Sequence, residues 1–267
     1  MIRAPNRGPD GLRIPDVQAF AWQTSDASSI LHAGNFRLQR RPVKGIGGGV
    51  TYTLAKSRDD TTATSGSATV AQDDQNLAAE WAPSNFDQRQ QLAGSLNVQL
   101  PWGVNRQWLN RGGFLAAIVG DWSMTANLTW QTGTPLTVRC STCASDVARG
   151  VGGTLRADYT GQPIAVSNPT IDEFFNTAAF AIPAPGTYGN SLRNMIVGPG
   201  SHLLNASFSR DVHLGGNRAV TIQATANNLL NMVNYGGVDT NVNSPTFGQI
   251  TSVRPMRSVH LNMRFRF

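Results

Sequence analysis

The sequence predicts an all-β chain, an antiparallel sheet of about eight strands that is apolar on one face and wet on the other. Three observations lead there. The last nine residues, Val259-His260-Leu261-Asn262-Met263-Arg264-Phe265-Arg266-Phe267, alternate strictly between apolar and polar side chains. Successive side chains of a strand point to opposite faces, so a period of two is what a sheet between two unlike solvents requires. The same alternation recurs along the chain, and the connections between the alternating stretches are short and long in turn.

From the N-terminus, Phe36 and Leu38 alternate with Asn35, Arg37 and Gln39. After a short turn at Pro42-Val43-Lys44, the residues Val50, Tyr52 and Leu54 alternate with Thr51 and Thr53. Leu92, Gly94, Leu96, Val98 and Leu100 are set against Ala93, Ser95, Asn97 and Gln99. Trp122, Met124, Ala126, Leu128 and Trp130 are set against Ser123, Thr125, Asn127, Thr129 and Gln131. Leu204, Ala206 and Phe208 follow, then Val220, Ile222, Ala224 and Ala226, each with Asn, Ser, Thr or Gln between them. The polar partners are mostly uncharged hydrogen-bonding groups, as a water-filled lumen requires.

No stretch approaches the roughly 20 apolar residues of a membrane helix. The mean hydropathy of -0.23 does not exclude a membrane protein. A barrel exposes apolar groups at every second position only, so its average looks soluble. Eight steps from Trp122 to Trp130, at roughly 3.4 Å each and tilted by about 45°, span roughly 19 Å along a barrel axis. That puts one indole near each boundary of an apolar belt, where amphipathic rings are favoured. A soluble sandwich core could also use two such tryptophans.

The short links run from Arg41 to about Gly47 and across His213-Leu214-Gly215-Gly216-Asn217. The long ones run from about Ser57 to Gln88, from about Cys140 to His202 and from about Asn231 to Arg257. With the C-terminal strand ending in the periplasm, antiparallel parity places every long link outside and every short one inside. The connection from Trp102 to Val119 is an inner turn of moderate length, whose Phe114-Leu115-Ala116-Ala117-Ile118-Val119 run packs as a short helix or a strand extension. The sequence thus predicts an antiparallel transmembrane β-barrel segment with short periplasmic turns and long extracellular loops.

The formal net charge is +6, but the cations are scattered, with Arg40, Arg41 and Lys44 at a strand end and Arg264 and Arg266 on the polar face of the last strand. Without a dense basic helix or aromatic-interleaved patch, nucleic-acid binding is not expected. Gly45-Ile46-Gly47-Gly48-Gly49 superficially resembles a phosphate cradle, yet a strand follows it where a phosphate loop must open a helix, so it reads as a turn. Cys140 and Cys143 form the only cysteine pair. Redox activity, half a zinc site and a small disulfide all suit that spacing, and a disulfide stiffening an outer loop is favoured. His32, His202, His213 and His260 lack ligand spacing, and no metal site or cofactor is expected. Asp59-Asp60 and Asp73-Asp74 read as solvated loop carboxylates rather than a calcium site. No catalytic constellation is present, so the chain does not read as an enzyme.

Tyr52-Thr53-Leu54-Ala55-Lys56-Ser57, Asn85-Phe86-Asp87-Gln88-Arg89, Trp130-Gln131-Thr132-Gly133-Thr134-Pro135, Phe175-Asn176-Thr177-Ala178-Ala179-Phe180, Gly198-Pro199-Gly200, Asn227-Asn228-Leu229-Leu230-Asn231 and Phe247-Gly248-Gln249-Ile250 stand in order over most of residues 30–267. Together they resemble one family, the TonB-dependent outer-membrane transporters, in particular the Oar-like barrel region of acidobacterial type. The closing strand, with Val259, Leu261, Met263, Phe265 and the terminal Phe267, resembles the assembly signal read by the barrel assembly machinery. The resemblance implies a barrel of about twenty-two strands in outer-membrane lipid, filled by an N-terminal plug and coupled to the inner-membrane TonB complex. It implies active uptake of a nutrient, an oligosaccharide or a metal chelate, but no fixed substrate motif. Met1-Ile2-Arg3-Ala4-Pro5 lacks the apolar core of a secretory leader. Residues 1–15 are therefore expected to be an irregular segment internal to a longer protein, and residues 16–267 the C-terminal part of its barrel. The alternative is a stand-alone barrel of about eight strands, whose interior side chains would fill.

Overall fold

The computed structural model describes residues 2–4, 20–22, 27–61, 71–73, 76–103, 108, 114–141, 143, 155–216 and 218–267. Seven long strands form one antiparallel sheet: β1 (Ser29–Val43), β2 (Ile46–Asp59), β3 (Gln90–Gln99), β4 (Trp122–Gln131), β5 (Ser201–Gly215), β6 (Arg218–Asn227) and β7 (Ser258–Arg266). Each pairs with its sequence neighbour, so the order across the sheet is the order along the chain. Ala82–Pro83 adds a short eighth strand at the far end of β2. Near the N-terminus, Ile2–Ala4 pairs antiparallel with Phe20–Trp22; residues 5–19 lie outside the described residues.

Register turns the alternation into two continuous faces. One row aligns Leu38, Val50, Gly94, Leu128 and Leu204. The next aligns Arg40, Gly48, Leu96, Ala126, Ala206, Ala226 and Val259. A slip of one residue would turn every one of these side chains to the other side. The opposite face carries short hydrogen-bonding groups that bridge strands. Thr53 Oγ1 donates to Asn35 Oδ1 (2.6 Å), Thr125 Oγ1 to Asn97 Oδ1 (3.0 Å) and Gln223 Nε2 to Ser207 Oγ (2.9 Å).

The tightest connection is the two-residue turn Lys44-Gly45, where both residues have positive φ (51° and 82°). That is the backbone of a primed hairpin turn, whose twist matches the strands it joins. It is shorter than the link from Arg41 to Gly47 expected from composition, because β1 runs on to Val43 and β2 begins at Ile46. Gly215 and Gly216, with φ of 95° and 59°, turn β5 into β6. The inner connection between β3 and β4 contains a helix, α1 (Phe114–Val119).

At the opposite end the long connections form a cap with its own core. Val138, Ala157, Phe175, Ala179, Phe180 and Ile196 are buried together, and Val242 and Phe247 from the connection between β6 and β7 pack against them. Two-residue ribbons organise it: Pro135–Leu136 pairs with Ile196–Val197, and Asp158–Tyr159 with Phe180–Ala181. The Phe175, Phe180 and Phe247 rings meet edge to face, with centroids 5.3 to 6.5 Å apart. Such pairs satisfy the ring quadrupoles as well as burying area.

Candidate functional site

The mouth of the sheet, where β2 enters the cap, holds a buried ionic cluster. Asp59 at the end of β2 and Glu80 in the short 3-10 turn Leu77–Glu80 are each 2% exposed. Two guanidinium groups from the connection between β4 and β5 hold them. Arg156 Nη1 donates to both Glu80 oxygens, at 2.7 and 2.9 Å, and its Nε donates to the Ser191 carbonyl at 2.8 Å. Arg193 Nη2 reaches Asp59 Oδ1 at 2.8 Å, and its Nε lies 3.3 Å from Glu80 Oε2. Gln72 closes the ring: its backbone N–H donates to Glu80 Oε1, and its Oε1 accepts from the Arg156 N–H. Two anions thus balance two cations in a dry place, where an unpaired ion would be very costly. The expectation of a solvated Asp59 is overturned. The carboxylate is buried because Arg193 arrives from far along the chain to neutralise it, a partner that local composition does not reveal. Asp60 instead accepts from the Ser28 N–H at 2.9 and 3.1 Å; Asp74 lies outside the described residues.

Asparagines finish the joint between sheet and cap. Asn194, itself at φ 59°, donates through Nδ2 to the Pro83 carbonyl and to Asn85 Oδ1, and accepts from Thr137 Oγ1. Asn228 holds the exit of β6 by bonding the Met232 backbone in both directions. Asn234 does the same for His202. A Cβ on Gly133 would lie 1.7 Å from the Gly198 carbonyl, so only glycine lets those two segments touch.

Trp122 lies at the turn end of β4, where its Nε1 donates to the Ile118 carbonyl of α1 at 3.0 Å. Arg210 donates to the same carbonyl at 2.7 Å. Trp130 lies at the cap end, its ring centroid 6.1 Å from that of His202. Val259, Leu261, Met263 and Phe265 share the apolar face of β7, in register with Ala226, Ala224, Ile222 and Val220. Phe267 is 94% exposed and stacks on Phe265 at 5.9 Å. Cys140 and Cys143 are joined in a disulfide at the edge of the cap, their Cα atoms 5.4 Å apart. Among the described residues no three His, Cys, Asp or Glu side chains converge as a metal site would need.

A family model described as an outer membrane beta barrel domain matches residues 3–260. This chain belongs to that family. Neither the curated proteins nor the solved structures contain a match.

The outer membrane beta barrel domain explains the distribution of exposure. Leu261 and Met263, each 79% exposed, face lipid rather than water. The protein resides in the outer membrane, its polar strand face belongs to the barrel interior, and the cap gathers the long extracellular connections at one end of the sheet. In the cap, Asp239 is half-buried. Desolvation pushes its carboxyl up, but hydrogen bonds from Ser244, the Asn241 N–H and Thr246 together outweigh burial and leave it below the usual carboxylate value. Sequence reasoning missed Glu80, Arg156 and Arg193. Only Arg193 carried a visible signal, as the single charge between Glu173 and Arg210; Arg156 has Asp158 two residues on.

Proposed function

We propose that this barrel section is the C-terminal part of a TonB-dependent receptor that actively takes up a scarce nutrient, an oligosaccharide or a metal chelate. The observation carrying the reading is that the sheet is open. β1 and β7 stand at its two ends with no ladder between them among the described residues. In lipid every unpaired backbone group costs several kcal/mol, so an open edge does not persist there. Further strands of the same receptor, completing a wide barrel around a plug, supply what both edges lack. A folded cap over the mouth suits a gated receptor better than a simple hole. Coupling to TonB would run through the plug, and insertion through recognition of β7 and Phe267 by the barrel assembly machinery. A small closed pore would need β1 to pair with β7.

The test begins with DNA upstream of the Met1 codon, which should encode the remaining barrel, a plug and a leader. A strain lacking the locus should then fail to grow on at least one limiting oligosaccharide or ferric chelate, as should a strain lacking TonB. A chain that inserts alone and conducts ions without TonB would overturn the reading.

A further inference from the structure

The glycines of the first hairpin leave the wall thin, and on the lipid side the thinning forms a groove. About 490 Å³ of open space lies there, bounded by Leu38, Val50, Leu96, Leu128 and Leu204, with Arg40 beside it. Its floor is Gly48 and Gly94, which register brings onto the apolar face of neighbouring strands. Apart from Ser95, the residues around the opening are glycines, aliphatic side chains and this one cation.

Arg40 is out of keeping with that face. Register places it in the row of Gly48 and Leu96, on the lipid side. It sits four residues before Lys44 of the two-residue turn, at the periplasmic end of the belt that Trp122 marks on β4. Arg40, Arg41 and Lys44 are all exposed. The chain has no Asp or Glu between Ala27 and Arg58 to neutralise them, and none of the three has an ion-pair partner among the described residues. A lone guanidinium at the rim of an apolar groove calls for a ligand with an anionic head and a hydrocarbon body. Arginine matches phosphate oxygens with two parallel N–H donors.

We propose that the groove is a binding site for one glycerophospholipid of the periplasmic leaflet. An acyl chain lies over Gly48 and Gly94 between the leucines, and the phosphodiester rests on Arg40, with Arg41 and Lys44 adding to the local positive field. The occupant is a lipid and not a free anion, because the groove offers a free phosphate a single cation and a wall that is mostly aliphatic. This site is independent of what the barrel transports.

Two substitutions separate head from tail. Arg40→Gln removes the charge from an exposed position. Gly94→Leu fills the groove: an added Cβ meets only Leu128 Cβ at 3.6 Å and Val50 Cγ2 at 4.0 Å, ordinary contacts. Gly48 is unsuitable, because a Cβ there would lie 2.4 Å from the Ser95 carbonyl. Arg37→Gln, on the lumenal face of the same strand, is the control. The barrel, extracted from outer membranes in detergent with whatever strands complete it, is titrated with dioleoylphosphatidylglycerol and, separately, dioleoylglycerol, and bound lipid is read by native mass spectrometry. The wild type and Arg37→Gln should retain one phosphatidylglycerol. Arg40→Gln should weaken it about fivefold, as expected for one basic residue at a membrane surface, and should leave dioleoylglycerol unchanged. Gly94→Leu should abolish retention of both. Equal retention by all four proteins would overturn the proposal. So would a wild-type pair of copies that Gly94→Leu separates, since the groove would then be an interface between barrels.

Discussion

The wall and the cap are built from one chain by opposite rules. In the wall the large apolar side chains, such as Leu38, Leu261 and Met263, are exposed, and the groups turned away from them are threonines, serines and asparagines. In the cap Val138, Phe175 and Ile196 are buried. Four charged groups are buried there too, as the Asp59–Glu80–Arg156–Arg193 cluster. Solvent accounts for the difference. Lipid satisfies no backbone group, so neighbouring strands of the wall are held by continuous ladders, and its apolar surface needs no burial. Water satisfies loops, so the cap had to bury a core of its own to be ordered at all. Stability in the wall therefore lies in the backbone, and in the cap it lies in side chains.

Five substitutions, in four tests, can break or sharpen that contrast. The largest effect is expected from Arg193→Ala, which leaves Asp59 and Glu80 with a buried charge uncompensated, at a cost of about 3–5 kcal/mol. Hydrogen exchange should show cap amides, Ala157 to Ser191, losing protection while β4 and β5 keep theirs. Equal loss in both would make cap and wall one cooperative unit. Next, Leu261→Arg places a charge in the lipid belt and should destabilise the inserted barrel by about 2–4 kcal/mol, whereas Asn262→Arg, facing the lumen, should do little. Urea titration of the two variants in lipid vesicles decides this, and a cost for Asn262→Arg as large as for Leu261→Arg would reverse the assigned faces. Cys140→Ser opens a very small ring, worth at most about 2 kcal/mol in the chain-entropy account, and should raise only local proteolysis near Cys143. Smallest is a pH effect through Asp239. Its carboxyl is lowered in the folded cap, so its contribution is complete above the ordinary value of 3.8 and is lost as pH falls through the depressed one. Asp239→Asn should flatten the acid limb of cap unfolding, and an unchanged limb would remove Asp239 from the account.

The wall was legible in the sequence because its chemistry has a period. Alternation from Trp122 to Gln131 gave the strand, the lipid face and the lumenal face together. Parity of the links gave the side on which the cap forms. What could not be read was the cap, and its elements show why. Ribbons of two residues, such as Pro135–Leu136 and Asp158–Tyr159, are too short to carry any period. Residues that meet there are distant in the chain: Arg193 and Asp59 are 134 positions apart. So β4 ended and the cap began near Thr132, earlier than the long link expected from about Cys140. In the sequence the resembling motifs are strings without a physical reason. Phe175, Phe180 and Phe247 now have one as a shared core, and Gly133 and Gly198 as a contact that admits no side chain.

The unequal connections also imply a timetable. β1 meets β2 across two residues, and β5 meets β6 nearly as cheaply, but β4 can meet β5 only after residues 132–200 have been gathered in. Longer closures are entropically dearer and slower, although the cost grows only logarithmically with length. The two tight hairpins are therefore expected to zip early and the β4–β5 seam last, with the cap acting as the clasp that brings its edges together. Cysteines trapped across the Ala206–Ala126 pair during insertion should cross-link later than cysteines across Leu38–Val50. The reverse order would mean that the seam is guided from outside, by the machinery that inserts the chain.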